Sequence, residues 1–263
     1  MPDITTLVKR WWKQIFFAML LSLLAVGVIT FMKPRQYLSV ATAVPASSYA
    51  SDKSKIFSEN IEALYSALGT ADDLDRVLGT AKLDTVYLAV ADRFNLFDHY
   101  KVKEKGDAAR IKSASLLKKN TVVMKSEYGE LKVKVWDTDK YLAPQMANAV
   151  LEQLQAMHTS LLSAGNKATL KALIERKEKI QQQADSASAD RNELLKSQLA
   201  TYEKTIGEYG LIVDSKPPAL ITVENAKPAT RPDRPRRMQI MAATAVLSLL
   251  FALLAAVVLE RKK

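Results

Sequence analysis

The sequence predicts an α/β membrane-proximal domain with a long projecting helical hairpin, flanked by two transmembrane helices. Three observations lead to this fold class. Two uncharged apolar runs lie near the ends of the chain, at Ile15–Met32 and Ile240–Leu259, and each approaches the roughly 20 residues that a helix needs to cross a hydrocarbon core. Segments of alternating hydrophobicity are interleaved with helical segments in the first half of the intervening chain. Apolar residues then recur at helical spacing over the long segment 139–210.

Both apolar runs are expected to span a membrane, and each has one alternative. The first could be a cleaved signal peptide, because Lys9, Arg10 and Lys13 precede it. However, it is longer than a usual signal core and ends without a small-residue cleavage site. The second could be a buried core helix, but the four residues that follow it are too few to cover it. We therefore expect two membrane anchors.

The expected topology follows from the length of the segment between the spans. Basic residues flank both spans on both sides, and a long loop crosses a membrane largely regardless of its charge. Since this segment has the size of a single domain, we expect it to be exported and both termini to be cytoplasmic. The expected order is a cytoplasmic tail at 1–14, a first span at 15–32, the first part of an α/β base at 33–138, a long coiled-coil-like helical arm at 139–210, a returning strand and a strut rich in proline and arginine at 211–239, a second span at 240–259, and a cytoplasmic tail at 260–263.

The expected base combines short strands with amphipathic helices. Tyr37–Val44 alternates and contains β-branched residues, which is typical of a strand. A hairpin is expected from Thr121–Lys125 and Glu130–Trp136, joined through Tyr128 and Gly129. Its buried face would carry Leu131, Val133 and Val135. Helices are expected at 56–68 ending at Gly69, at 71–78 closed by Gly79, at 83–97 capped by Asp84, and at 108–119.

The expected arm begins after Asp139, which can cap a helix, with Pro144 close to its start. Its apolar stripe runs through Met146, Val150, Leu154, Met157 and Leu161, is interrupted at Gly165, and resumes at Leu173, Ile180, Ala184 and Ala187. The return helix would carry Leu195, Gln198, Tyr202, Ile206 and Tyr209 and end at Gly210, before strands at Leu211–Val213 and Ala219–Val223. The turn between the two helices of the arm is expected either near Gly165 or at Asp185–Asp190.

The arm has a narrow apolar stripe and otherwise charged faces, so it needs one partner stripe. That partner is the return helix or a neighbouring copy of the chain, and the alternative is a solitary, solvated arm. We expect self-association, because two membrane anchors already align copies side by side.

The strut that precedes the second span carries three prolines, Pro228, Pro232 and Pro235, and is expected to be extended. It also carries four arginines close to the membrane surface: Arg231, Arg234, Arg236 and Arg237. Basic residues in this position are attracted to anionic lipid. We expect a contact with lipid phosphate or with a polymer, and the alternative is ordinary interfacial anchoring.

The sequence carries no motif for catalysis, for a cofactor or for a metal. It has no cysteine, two histidines (His99 and His158), and no phosphate-binding loop or hydrolase motif. Asp72, Asp73 and Asp75 crowd a helix start, where acidic residues favour the helix dipole, and Asp137 and Asp139 lie at a junction between a strand and a helix. The net charge of +10 favours acidic partners, but without interleaved aromatic residues we expect no nucleic acid.

Four stretches together resemble a known family. They are the first span leading into the strand segment Arg35–Val44, the helical segments Asn60–Gly79 and Leu83–Tyr100, the segment Leu131–Leu154, and the proline-spaced Lys227–Arg237 just before the second span. The third includes an A-x-x-x-A-N-A pattern at Ala143, Ala147, Asn148 and Ala149, with Lys140 where the family commonly has proline. In their order and spacing these stretches are similar to the polysaccharide co-polymerases, the Wzz-type chain-length determinants.

The resemblance implies a ring-forming homo-oligomer in the bacterial inner membrane, with its bulk in the periplasm. Such proteins set the length of lipopolysaccharide O-antigen or of exopolysaccharide, working with a membrane polymerase on a lipid-linked glycan. Some relatives carry a tyrosine kinase after the second span, and we expect any such kinase here to be a separate cytoplasmic partner. The resemblance implies no enzyme activity. Two alternatives are a two-span sensor with an exported ligand-binding domain and a glycan-modifying enzyme with paired carboxylates.

Overall fold

The computed structural model describes residues 4–46, 71–185, 189–216 and 218–261. The helix expected at 56–68 lies outside these residues. The described elements, in chain order, are α1 (Ile4–Met32), β1 (Tyr37–Pro45), α2 (Ala71–Thr80), α3 (Asp84–Arg93), α4 (Leu96–His99), α5 (Asp107–Lys119), β2 (Thr121–Lys125), β3 (Leu131–Asp137), α6 (Leu142–Asp185), α7 (Ala189–Ser215), β4 (Leu220–Glu224) and α8 (Arg237–Arg261). The fold class is α+β, with a long helix pair and an apolar helix near each end.

The chain divides into two compact units. Unit 1 comprises Met1–Leu38, Asp137–Lys140 and Ala229–Lys263, and unit 2 comprises Ser39–Trp136 and Tyr141–Pro228. The first unit thus contains both apolar helices, and the second contains the sheet and the helical arm.

Unit 1 is built on α1 and α8, whose segments Lys9–Met32 and Arg237–Glu260 are each 24 residues long and apolar enough to cross a membrane. At about 1.5 Å per residue each covers roughly 36 Å, more than a typical hydrocarbon core. Both helices extend beyond the expected spans 15–32 and 240–259. Interfacial tryptophan and basic residues can continue a helix past the hydrocarbon region, and Trp11 and Trp12 lie in this extension.

The two apolar helices run antiparallel and pack through small residues. Ile15 of α1 is buried with Ala252 and Ala256 of α8. At the same end, Arg10 Nη1 lies 2.7 Å from Glu260 Oε1, and Trp11 Nε1 donates a 2.9 Å hydrogen bond to Glu260 Oε2. Glu260 therefore joins the start of α1 to the end of α8.

Unit 2 contains a four-stranded sheet of order β2-β3-β1-β4. The expected hairpin is confirmed, with β2 antiparallel to β3 in the register Thr121↔Val135. Its turn uses Gly129 at a φ of 75°, a conformation that glycine adopts without strain. The expected buried face of β3 is also confirmed: Leu131, Val133 and Val135 are fully buried. The strand expected at Ala219–Val223 is β4, which pairs antiparallel with β1.

Short helices cover the sheet, with boundaries that differ from those expected. Gly79 lies inside α2, which ends at Thr80. The helix expected at 83–97 is instead two helices, α3 and α4, separated at Asn95, whose φ of 48° is left-handed and stops the helix. Leu83 is the N-cap of α3, so Asp84 is its first helical residue rather than its cap. An aspartate there still favours the helix dipole.

The arm begins with α6, a helix of 44 residues. It starts at Leu142, so Asp139 lies before it, and Pro144 is its third residue, where a missing N–H costs nothing. Its first turns are part of the core of unit 2 through Met146, Val150 and Leu154, which are fully buried. The interruption expected at Gly165 is wrong, because α6 continues to Asp185. A single glycine costs a helix only about 1 kcal/mol.

The return helix α7 is longer than expected. Gly210 does not end it, and the strand expected at Leu211–Val213 is wrong, because the helix continues to Ser215. Ile212 is buried and continues the helical stripe. At the other end of the arm, Leu195 and Leu199 pack against two buried residues of α6, Ile180 and Ala184. Leu199 takes the place in the stripe that was expected for Gln198, which is exposed.

Candidate functional site

The strut before α8 is held against the segment that follows α1, within unit 1. Gln36 and Arg234 form an antiparallel bridge. The backbone N–H of Gln36 donates to the carbonyl oxygen of Arg234 at 2.8 Å, and the N–H of Asp233 donates to the carbonyl oxygen of Gln36 at 2.9 Å. This bridge fixes two short segments that lie far apart in sequence.

An open cleft of about 790 Å³ lies beside this bridge. It is lined by Arg35, Arg231, Pro232, Asp233, Pro235, Arg236, Arg237, Met238 and Gln239. Four of these side chains are cationic and one is anionic, so the lining carries a net charge of +3. Arg35, Arg231 and Arg236 are exposed. The cleft is therefore a basic, solvent-accessible surface at the ends of both apolar helices.

The arginines of the cleft have different surroundings. Arg236 Nη2 donates to Asp233 Oδ1 at 3.0 Å. The Arg237 guanidinium lies over the Phe31 ring, 4.5 Å from its centroid, in the geometry of a cation–π contact. Its Nε is buried and has no hydrogen-bond partner among the described residues. Arg35 and Arg231 form no ion pair in the part of the chain that the structure describes.

The structure brings three of the four expected arginines to one surface: Arg231, Arg236 and Arg237 line the cleft. Arg234 does not line it, and its backbone forms the bridge to Gln36. Arg35, which no sequence pattern marked as a site residue, is contributed to the cleft by the segment that follows α1. Its position just past Met32, where α1 ends, is the sequence feature that points to it, but that feature does not relate it to the strut.

The A-x-x-x-A-N-A pattern has a structural role in unit 2. Ala143, Ala147 and Ala149 are buried, which allows α6 to pack closely in the core. Asn148 Oδ1 accepts a 2.8 Å hydrogen bond from the backbone N–H of Ala226. The pattern thus fixes the chain that follows β4 against the first turns of α6.

The remaining polar candidates have structural surroundings. Asp137 Oδ1 accepts a hydrogen bond from the N–H of Asp139 at 2.8 Å, which closes the turn after β3. His158 Nε2 lies 2.6 Å from Thr80 Oγ1, and burial lowers the pKa of this histidine from its usual 6.5. Within residues 4–46, 71–185, 189–216 and 218–261, no group of three or more carboxylate or histidine side chains could hold a metal ion.

The arm carries a second surface of interest, which is apolar. Beyond the buried first turns of α6, several large apolar side chains of the arm are exposed. On α6 they are Leu161, Leu162 and Ile174, and on α7 they are Leu194 and Leu211. Lys177 Nζ and Glu203 Oε1 form a 2.7 Å ion pair across the two helices. Pairing of α6 with α7 therefore leaves part of the apolar surface of the arm uncovered.

Comparisons with known proteins give matches among solved structures. No family model matches the chain, and no curated protein matches it significantly. One similar structure is a full-length bacterial polysaccharide co-polymerase, at 14% identity and a TM-score of 0.42, covering 100% of this chain and 97% of that one. Another is a fragment of WzzB, a polysaccharide co-polymerase from Salmonella Typhimurium, at 15% identity and a TM-score of 0.42, covering 76% of this chain and 100% of that one. Both of these proteins are described as polysaccharide co-polymerases.

Proposed function

We propose that this protein is a non-enzymatic, oligomeric scaffold of the bacterial inner membrane that regulates the chain length of a surface polysaccharide. The polysaccharide would be a lipopolysaccharide O-antigen or an exopolysaccharide, extended by a separate membrane polymerase on a lipid-linked glycan. Both termini would be cytoplasmic and the bulk of the chain periplasmic, with any tyrosine kinase a separate cytoplasmic partner. The proposal rests on the resemblance of the four sequence stretches and on the architecture described above.

The observation that supports the proposed oligomer is the uncovered apolar surface of the arm. Leu161 is 58% exposed, Leu194 61% and Leu211 64%, and all three lie on a helix pair that has no further described layer around it. Burying apolar surface stabilises an assembly by about 25 cal/mol per Å². A second copy of the chain is the occupant that we propose for this surface, since two membrane anchors hold copies side by side in one plane.

The charges of the arm support a contact between the α6 side of one copy and the α7 side of a neighbouring copy. From Leu161 to Asp185, α6 carries five basic and three acidic residues, a net charge of +2. Helix α7 carries three basic and five acidic residues, a net charge of −2. The α6 side of one copy is therefore complementary to the α7 side of the next. Contacts between two different faces of identical chains are heterologous, and they close into a ring when the rotation permits.

A ring of this kind would act by multivalency rather than by chemistry. Each copy presents the same surface to a growing polymer or to a polymerase, and linked weak contacts raise the effective concentration of the partner. The polymer would be retained while these contacts persist and released when they fail. Such a mechanism requires no catalytic residue, and none is assigned.

The function is tested by deleting the gene and measuring the length distribution of every surface polysaccharide of the host on gels. We expect a modal length to be lost and to return when the full chain is supplied. Unchanged distributions of all of these polymers would contradict the proposal. A changed transcriptional response without any length change would favour the sensor.

The oligomer is tested separately on the purified full chain in detergent, by mass photometry at several concentrations. We expect a discrete complex of many copies. Reversing Lys167 and Lys171 to glutamate should dissociate it, and reversing Glu193 and Glu208 to lysine in the same chain should restore it. If the protein were monomeric at every concentration, the result would contradict the proposed ring.

A further inference from the structure

We propose that the basic cleft of unit 1 binds the phosphates of a lipid headgroup, with preference for a headgroup that carries more than one phosphate. This inference does not rest on the proposed function in chain-length regulation. It rests on four features of the cleft, namely its charge, its donor chemistry, its construction and its position.

The charge of the cleft selects an anion. Its lining has a net charge of +3, and Asp233 is its only carboxylate among the residues that line it. That carboxylate is already hydrogen-bonded to Arg236. Arg35 and Arg231 have no anionic partner within the described chain, so their charges remain available to a ligand. One phosphate monoanion would leave this excess partly uncompensated, and a headgroup with two phosphates matches it better.

The donors of the cleft suit an oxyanion such as phosphate. All four of its cations are arginines, and a guanidinium presents a planar fork of N–H donors that binds two oxygens of one phosphate at once. Arg237 also has a buried Nε without a partner among the described residues. An unsatisfied buried donor costs free energy, and an anionic oxygen would satisfy it once the Arg237 side chain shifts to expose this atom.

The construction of the cleft preorganises these donors. The bridge between Gln36 and Arg234 holds both walls together, and two of the lining residues, Pro232 and Pro235, have a fixed backbone φ. Packing against Phe31 fixes the Arg237 side chain as well. A volume of about 790 Å³ falls within the range of small-molecule sites and exceeds what a single phosphate occupies.

The position of the cleft selects a lipid over a soluble anion. The cleft lies where α1 ends at Met32 and α8 begins at Arg237. The apolar residues beside it are exposed: Phe31 is 62%, Met32 80% and Met238 85% exposed. A ligand that is anionic at one end and apolar at the other would satisfy both surfaces. Basic pockets between membrane helices are known to bind anionic lipid headgroups.

The test uses native mass spectrometry of the purified full chain in a neutral detergent. The protein is titrated separately with phosphatidylcholine, phosphatidylglycerol, cardiolipin, inorganic phosphate and pyrophosphate, and bound molecules are counted per chain. We expect cardiolipin, with two phosphates, to bind most tightly, phosphatidylglycerol less tightly, and phosphatidylcholine and both free anions at least tenfold more weakly than cardiolipin. Free pyrophosphate that binds as tightly as cardiolipin would overturn the lipid assignment.

The residues are tested with two variants of equal charge. Replacing Arg35, Arg231 and Arg236 with glutamine should weaken cardiolipin binding at least tenfold. The matched control replaces Lys103, Lys105 and Lys112, which are exposed and lie in unit 2, with glutamine and should bind within twofold of the parent. Equal losses in both variants, or no loss in the arginine variant, would overturn the proposal. If the triple arginine variant does not fold, Arg231→Gln alone, at an exposed position, should still weaken binding severalfold, and parental binding would overturn the proposal.

Discussion

Asn148 on α6 and Ala226 after β4 are joined by a 2.8 Å hydrogen bond from the backbone N–H of Ala226 to the side-chain oxygen of Asn148. Ala226 is itself buried, so its N–H has little access to water. A buried backbone donor must be paired, and here one side chain provides that pairing.

Replacing Asn148 tests this bond directly. Asn148→Leu removes the acceptor and should lower the free energy of unfolding by about 1–3 kcal/mol, because a buried N–H is left unpaired. Asn148→Asp keeps an acceptor oxygen and should cost less. Chemical denaturation of the purified full chain in detergent measures both. A leucine variant as stable as the parent would show that the bond is dispensable.

The far end of the arm offers a matched pair of neighbouring leucines. Leu195 is 8% exposed and packs against α6, whereas Leu194 is 61% exposed. Leu195→Ala should open the far turns of both helices, at a cost of about 2 kcal/mol. Leu194→Ala should change stability by less than about 0.5 kcal/mol.

Hydrogen exchange followed by mass spectrometry separates the two substitutions. Faster exchange is expected in the turns around Ile180 and Leu199 for Leu195→Ala only. If Leu194 contacts a second copy, its alanine variant should reduce the size of the complex without changing exchange within a monomer. Equal exchange in both variants would contradict the assigned packing.

Gly27 reports on the packing of the two apolar helices. A Cβ added at Gly27 would lie 3.8 Å from Met241 Cε, an ordinary contact. Gly27→Ala should therefore be tolerated, whereas Gly27→Phe should push α8 away from α1 and lower the thermal midpoint of the full chain in detergent by several degrees. Equal midpoints for the phenylalanine and alanine variants would show that the helices are not in contact there.

His158 predicts a pH dependence of stability. Burial lowers its pKa in the folded chain below the usual 6.5, so the unfolded chain takes up a proton first as the pH falls. The stability associated with a neutral His158 is complete above about pH 6.5 and declines below it, until the pH reaches the lowered folded pKa. The slope from this group cannot exceed about 1.4 kcal/mol per pH unit.

His158→Gln keeps a side chain that can hydrogen-bond to Thr80 but cannot titrate. We expect its unfolding free energy to fall less steeply between pH 7 and pH 5 than that of the parent chain. Parallel curves for the two proteins would show that His158 is not the titrating group.

Local sequence patterns predicted the elements whose burial follows a simple period. Alternation identified the hairpin and its buried face at Leu131, Val133 and Val135, and the length of the apolar runs identified α1 and α8. The wrong predictions of secondary structure lie where tertiary packing overrides the local conformational preference of the residues. Gly210 was expected to end a helix, and Leu211–Val213 reads as a strand, but pairing with α6 keeps α7 helical to Ser215.

The candidate site was predicted only in part, for a related reason. Clustering in sequence identified Arg231, Arg236 and Arg237, because all lie within one short segment. Arg35 joins them through the bridge between Gln36 and Arg234, which connects positions that no local pattern relates. For the same reason, the sequence singled out Asn148 as part of a motif but gave no indication of its partner, Ala226.

The contact of Arg10 and Trp11 with Glu260 ties the first turns of α1 to the last turn of α8. Together with the packing of Ile15 against Ala252 and Ala256, this contact opposes rotation or displacement of one helix relative to the other. If both helices cross a bilayer as proposed, each copy has a footprint two helices wide there, about 20 Å along its longer side. In the proposed ring, that width would set a lower limit on the distance between neighbouring pairs of membrane helices along this direction.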